Sequence, residues 1–156
     1  GICLGMQIAV IEYARNVLGI KDANSGEFDE LCRNKVIDFM PGQSDDIDKG
    51  GTLRLGAYAC DIKSGTTMER CYGAGEISER HRHRYEFNND YRNMMTDKGL
   101  VISGTSPDGH IVETVEIPDN RFYVGVQFHP EFKSRPNKAH PLFLGLIRAA
   151  LNSQAE

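Results

Sequence analysis

Gly1-Ile2-Cys3-Leu4-Gly5-Met6-Gln7 opens the chain, and how this stretch is read decides the fold. A Gly-x-nucleophile-x-Gly sequence belongs on a tight turn between a strand and a helix, where small flanking residues let the nucleophile take a strained backbone conformation. The helix half follows at once. Met6, Ala9, Val10, Tyr13, Ala14, Val17 and Leu18 recur at three- and four-residue intervals, and Gly19 stands as a C-terminal cap. No strand precedes the turn in this sequence, so the strand half is expected outside it. A cysteine at a helix N-terminus sits at the positive end of the helix dipole, which favours thiolate over thiol and makes Cys3 a candidate nucleophile.

Further along, residues 36–40 read as a short strand, 41–51 as a polar, Asp-rich loop, and 52–62 as a resumed strand. Residues 80–87 read as extended, 90–98 as a helix stopped by Gly99, and 100–104 as a strand. Two apolar runs, 111–117 and 122–128, flank the turn signal Pro118-Asp119-Asn120 and are expected to pair as a hairpin. A last helix starts at Pro141, a favoured first-turn residue. With 156 residues, 40% of them hydrophobic, and no repeat or linker, the chain reads as one domain over residues 1–156.

The net charge of -4 supplies no general attraction to nucleic acid or to an anionic membrane. No run approaches the roughly 18 apolar residues of a membrane span, and the first residues lack the pattern of a secretory signal. Cys3, Cys32, Cys60 and Cys71 lie far apart with no Cys-x-x-Cys pair, which favours a reduced, cytoplasmic protein over a disulfide framework or zinc ribbon.

Phe128-His129-Pro130-Glu131 directly follows an apolar strand, whose end can present side chains to a cleft. In a Cys-His-carboxylate arrangement the imidazole takes the thiol proton and later protonates the leaving group, while the carboxylate fixes the tautomer. Taken singly, Cys3 also fits a small core residue, and His-Pro-Glu a turn with a solvated carboxylate. Taken together they point to catalysis. Arg80-His81-Arg82-His83-Arg84 resembles a nucleic-acid patch, but Glu76, Glu79 and Glu86 flank it. His81-x-His83 with His110 or His129 lacks a suitably spaced third zinc ligand.

At this point the sequence resembles a known family. Residues 1–7 and Gln127-Phe128-His129-Pro130-Glu131 are similar to the nucleophile elbow and the His/Glu segment of class I glutamine amidotransferases, in the family's order. Four more segments narrow the resemblance to the glutaminase domain of the CTP synthase family: residues 22–28, 50–56, 79–86 and 129–136. The fold this implies is α/β, a flavodoxin-like three-layer sandwich of the class I glutamine amidotransferase type, with the domain's N-terminal strands and a glycine loop carrying the other oxyanion donor missing from this chain. Such a fragment is expected to expose apolar surface and sheet edges.

The resemblance also implies roles. Cys3, His129 and Glu131 form the catalytic triad. Backbone groups of Leu4, Gly5, Met6 and Gln7 line the glutamine pocket, Glu27 holds the α-ammonium, and Arg84 holds the α-carboxylate with its guanidinium fork. The partners implied are L-glutamine and an amidoligase (synthase) domain of the same enzyme, where ammonia aminates UTP to CTP with ATP and Mg²⁺ in pyrimidine biosynthesis. That full-length enzyme is expected to be a homotetramer. Within this chain no cofactor, metal, nucleic acid or membrane partner is expected. Two other readings stand: the glutaminase domain of a different class I amidotransferase, and a non-catalytic module of the same fold.

Overall fold

A computed structural model describes residues 1–39 and 54–152. The loop expected over 41–51 and parts of the two flanking strands lie outside the described residues. Helix α1 (Leu4–Asn16) is followed by strands β1 (Ala23–Ser25), β2 (Asn34–Phe39) and β3 (Arg54–Ile62), a short helix α2 (Thr67–Tyr72), and strands β4 (Glu76–His83) and β5 (Tyr85–Phe87). A 3-10 turn then leads into α3 (Arg92–Asp97), strands β6 (Val101–Thr105), β7 (Val112–Glu116) and β8 (Val124–Val126), and the final helix α4 (Pro141–Asn152).

The main sheet runs β4-β3-β6-β7-β8 with every pairing antiparallel, and β1-β2-β5 form a smaller sheet in which β1 and β2 are parallel. The expected hairpin is the β7–β8 pair, with Val115 opposite Gly125. Consecutive residues of β7 show that both faces of the sheet are covered. Val115 and Gly125 meet Met6 of α1 on one side, whereas Glu116 reaches the start of α2 on the other. Helices on both faces make the three-layer arrangement the sequence implied.

Helix α1 forms where its periodicity placed it and buries Met6, Val10, Tyr13 and Ala14 in the larger core, although Val17 falls beyond the helix and is exposed. Gly19, at φ 76°, turns the chain so that the Ile20 N–H reaches the Ala14 carbonyl at 3.0 Å. The smaller core joins Ile62, Met68, Val126, Phe128 and Leu142 beneath α2 and α4. As expected, apolar surface is exposed: α4 buries Leu142 and leaves Leu144, Leu146, Ile147 and Leu151 in the open.

Helix α2 was not anticipated, yet Thr66 and Glu69 carry the spacing of a capping box, and the Thr66 hydroxyl accepts the Glu69 N–H at 3.2 Å. Its first turn has a second anchor. The buried Glu116 carboxylate accepts the N–H groups of Thr67 and Met68, both at 2.9 Å. Glu116→Ala is expected to cost about 1–2 kcal/mol, since it strands two donors beneath the sheet. Urea unfolding checks this, and Glu116→Gln, which keeps one acceptor oxygen, should lose about half as much.

Candidate active site

The first three residues run beside β8. Ile2 bridges Val126 in parallel, the Gly1 carbonyl accepts the Val126 N–H at 2.9 Å, and the Cys3 N–H donates to the Val126 carbonyl at 2.7 Å. Against the expectation that the strand half lies wholly outside this sequence, Ile2 forms a parallel bridge to β8 just before the nucleophile. Cys3 then turns the chain into α1 at φ 50°, ψ -105°, the one non-glycine residue with positive φ among the described residues. That conformation holds the thiol at the strand-to-helix corner, as the Gly-x-Cys-x-Gly pattern requires.

The two glycines of the pattern differ in what they do. A Cβ on Gly1 would lie 2.6 Å from the Gly5 carbonyl oxygen and 2.9 Å from the Met6 nitrogen, both backbone, whereas a Cβ on Gly5 would meet nothing within 4 Å. Gly1→Ala is therefore expected to deform the corner, at about 1–3 kcal/mol, and to slow thiol-directed labelling of Cys3 roughly tenfold. Gly5→Ala, in the first turn of a helix, should leave labelling unchanged and stabilise α1 slightly. Equal sensitivity of the two positions would contradict this account.

One cavity of about 350 Å³ is lined by Cys3, Leu4, Gln7, Glu27, Arg82, His83, Arg84 and Tyr85. Five of the residues proposed from sequence thus meet around it: Cys3, Leu4, Gln7, Glu27 and Arg84. Gly5 and Met6 do not line it. Their N–H groups close the corner onto the carbonyls of Ile2 at 2.7 Å and Cys3 at 3.1 Å, and the Met6 side chain is wholly buried in the core. Of the backbone donors in that segment, the Leu4 N–H is the one that lowers the pKa of the Cys3 thiol.

His129 and Glu131 are not among the residues that line the cavity. The imidazole Nδ1 lies 2.6 Å from Glu131 Oε1, the ring stacks on Phe132 at 4.8 Å, and the His129 N–H is held by the Arg80 carbonyl at 2.8 Å. A carboxylate on Nδ1 fixes the tautomer with Nε2 as the basic nitrogen. Burial pushes the Cys3 thiol above its ordinary value. The Leu4 N–H and the Gln127 amide pull it back, while the charges of Glu27 and Glu131 push it up again. The helix N-terminus, which favours the thiolate, therefore works against burial and two carboxylates at this site.

Strand β4 explains how its residues divide. Arg80 and Arg82 point out, and His81 and His83 point in, with the period of two of a strand. His81 Nδ1 and His83 Nε2 meet at 2.8 Å in the interior. Among the described residues no group of three His, Cys, Asp or Glu is placed to hold a metal ion, all four cysteines are free, and no helix is long and apolar enough to cross a membrane.

Sequence reasoning assigned no role to the Gln127 side chain or to His83. Gln127 Nε2 lies 3.6 Å from Cys3 Sγ. The signal that would have found it is alternation, since residues two apart on an extended segment share a face, and Gln127 precedes His129 by two.

A strained cysteine at a strand-to-helix corner with a polar cavity before it, and a hydrogen-bonded His–Glu pair on the segment after β8, make a candidate thiol site on an α/β fold. The description "Glutamine amidotransferase class-I" matches residues 1–149, and the chain belongs to that family. It is 58% identical over 154 residues to the CTP synthase of Staphylococcus aureus strain NCTC 8325 / PS 47, and equally to that of strain JH9. Those matches cover 99% of this chain but 29% of the relatives' length. Among solved structures, the glutaminase domain of Trypanosoma brucei CTPS with bound acivicin superposes with a TM-score of 0.91 at 39% identity, covering 97% of this chain and 59% of that one. A putative GMP synthase protein of Thermoplasma acidophilum, at 14% identity and a TM-score of 0.60 over 99% of this chain and 58% of that one, shares the fold.

Proposed function

We propose that this chain is the glutamine-hydrolysing part of a CTP synthase, with Cys3, His129 and Glu131 as its triad. The observation that carries the reading is the cavity at the strained cysteine, walled by a carboxylate, Glu27, and a guanidinium, Arg84. Free glutamine presents an ammonium and a carboxylate at one end and a primary amide at the other. Glu27 suits the first, Arg84 the second, and Cys3 the amide.

His129 takes the Cys3 proton as the sulfur attacks the amide carbon. The oxyanion that forms is faced by the Leu4 N–H, a donor of the kind worth about 3 kcal/mol in other hydrolases. The C–N bond breaks as His129 returns the proton, ammonia leaves, and a glutamyl thioester remains. Water, deprotonated by His129, then attacks that thioester, releasing glutamate and restoring the thiol. In the longer protein the ammonia aminates UTP to CTP in a separate synthase domain, which supplies the sites for ATP and Mg²⁺. The relatives named CTP synthase support that assignment over other class I amidotransferases.

Labelling by a diazoketone analogue of glutamine, read by mass spectrometry peptide by peptide, tests the reading. Modification of Cys3 that excess L-glutamine blocks is the expected result. Labelling of Cys32, Cys60 or Cys71 in its place, or labelling of Cys3 indifferent to glutamine, would overturn the reading.

A further inference from the structure

We propose that Gln127 is a catalytic residue, a hydrogen-bond donor to the Cys3 sulfur that is aimed by a one-way chain of amides running from the Tyr85 carbonyl through Gln7. The inference rests on the proposed function only in taking Cys3 as the nucleophile.

The direction of the chain follows from which groups can only accept. The Tyr85 backbone carbonyl is such a group, and the Gln7 side chain meets it at 2.9 Å, so the Gln7 end placed there is its NH₂. That same NH₂ lies 3.2 Å from the Gln127 side chain, so the Gln127 end facing it is the oxygen. The remaining end of Gln127, its own NH₂, is then the one 3.6 Å from Cys3 Sγ. Reversing Gln7 would set oxygen against oxygen, and reversing Gln127 would set NH₂ against NH₂, each at a buried contact, because Gln7 is 3% exposed and Gln127 is 0% exposed. Both ends of the chain are held, one by backbone and one by a side chain. The Gln127 N–H donates to the Glu113 carbonyl at 2.8 Å, and His83 Nδ1 stands 3.3 Å from the Tyr85 carbonyl.

A donor that cannot turn round discriminates between the two states of the sulfur. The thiol's own proton has the Arg82 carbonyl at 4.0 Å to point at, whereas the thiolate receives hydrogen bonds from Gln127 Nε2 and the Leu4 N–H. The same donors face the sulfur when the thioester C–S bond breaks and the electron pair returns to sulfur. The charged groups around Cys3 oppose or join this effect. Glu27, from the loop after β1, and Glu131 disfavour the thiolate, while Arg82, His83 and Arg84 line the cavity from β4 and the turn after it. Without Gln127 the balance moves toward the thiol.

The test is the pH dependence of Cys3 alkylation by iodoacetamide, followed on the peptide that carries Cys3, in the unmodified protein and in Gln127→Met. Methionine has nearly the same length and donates nothing. The expected result is an inflection raised by about one pH unit or more, which below the inflection is a roughly tenfold slower reaction, with the high-pH plateau unchanged. A purely structural role would lower the plateau or the stability and leave the inflection in place, and that outcome overturns the proposal. A second measurement needs no variant. The side-chain NH₂ resonances of Gln127 should shift with the same inflection as Cys3 titrates, and resonances that stay still through that range also overturn it. Neither readout uses glutamine, so a chain that shows the shifted inflection but no glutamine-protected labelling refutes the glutaminase reading and leaves this one standing.

Discussion

Replacing Cys3 with alanine is expected to lower glutamine hydrolysis by on the order of 10⁴-fold or more, the loss seen when the nucleophile of a triad is removed. If the longer protein is the CTP synthase proposed above, its amination of UTP driven by free ammonia should continue. The reason is chemical. Without the sulfur no thioester forms, and the Leu4 N–H, Glu27 and Arg84 can only bind the amide substrate, which does not break it. Binding should survive, because the cavity is lined by eight residues of which the substitution alters one. Alanine inherits the φ of 50° at the corner, so Cys3→Ser, which keeps shape and polarity, serves as the control for strain. Measured together, glutamine-dependent and ammonia-dependent synthesis separate the two domains' work. Loss of both in Cys3→Ser would mean that residue 3 supports the synthase half structurally and that the division of labour is wrong.

The corner that carries Cys3 was the most legible part of the sequence. Gly-x-Cys-x-Gly before a 3.6-period helix specifies a corner, and the structure places Cys3 there with the only positive φ outside glycine among the described residues. The hairpin of β7 and β8 was equally legible, because turn residues separate two apolar runs. What stayed hidden depends on contacts distant in sequence. Strand β1 is three residues long and exists only because β2 pairs with it in parallel, so its own side chains carry no period to detect. Gln127 and Gln7 are 120 residues apart, and nothing local to either announces that one aims the other. The surroundings of Cys3 were hidden for a related reason. The helix N-terminus is visible in sequence, but the burial and the two carboxylates that raise the thiol come from other elements.

The same limit applies to the interior beside β4, where the alternation Arg80-His81-Arg82-His83 was visible but its destination was not. Arg54 of β3 lies 2.5 Å from Glu113 of β7 and 3.9 Å from Glu86 of β5, and its guanidinium also sits over the Tyr58 ring. Glu113 Oε2 and His81 Nε2 face each other at 3.5 Å. All five groups, Arg54, His81, His83, Glu86 and Glu113, are buried. One arginine therefore serves two carboxylates. Burial pushes Glu86 and Glu113 each up to about 7 despite Arg54, and burial with the neighbouring cations pushes His83 down to about 4 and His81 down to about 2.

Arg54→Met is expected to destabilise the fold by about 3–5 kcal/mol at pH 8.5, the usual cost of leaving a buried charge without its partner, and by clearly less at pH 5.5. A carboxylate raised to about 7 binds its proton in the folded state and not in the unfolded one between roughly pH 4.3 and 7. Its contribution is fully present below the lower value and is lost as pH rises through the upper one. The histidines run the other way. Their contribution is present above about 6.5 and is lost as pH falls through 4 and then 2. Between about pH 4.5 and 6.5 the two pairs offset each other, which makes the unmodified protein's stability flat there. Removing Arg54 raises both carboxylates further and extends the window of falling stability past pH 7. It also frees His81 to take up a proton and pair with Glu113, which narrows the deficit at the acid end. Urea unfolding of both proteins at pH 5.5, 7 and 8.5 reads the difference directly. A deficit independent of pH, or one below about 1 kcal/mol at pH 8.5, would show that the two carboxylates do not depend on Arg54 for their charge.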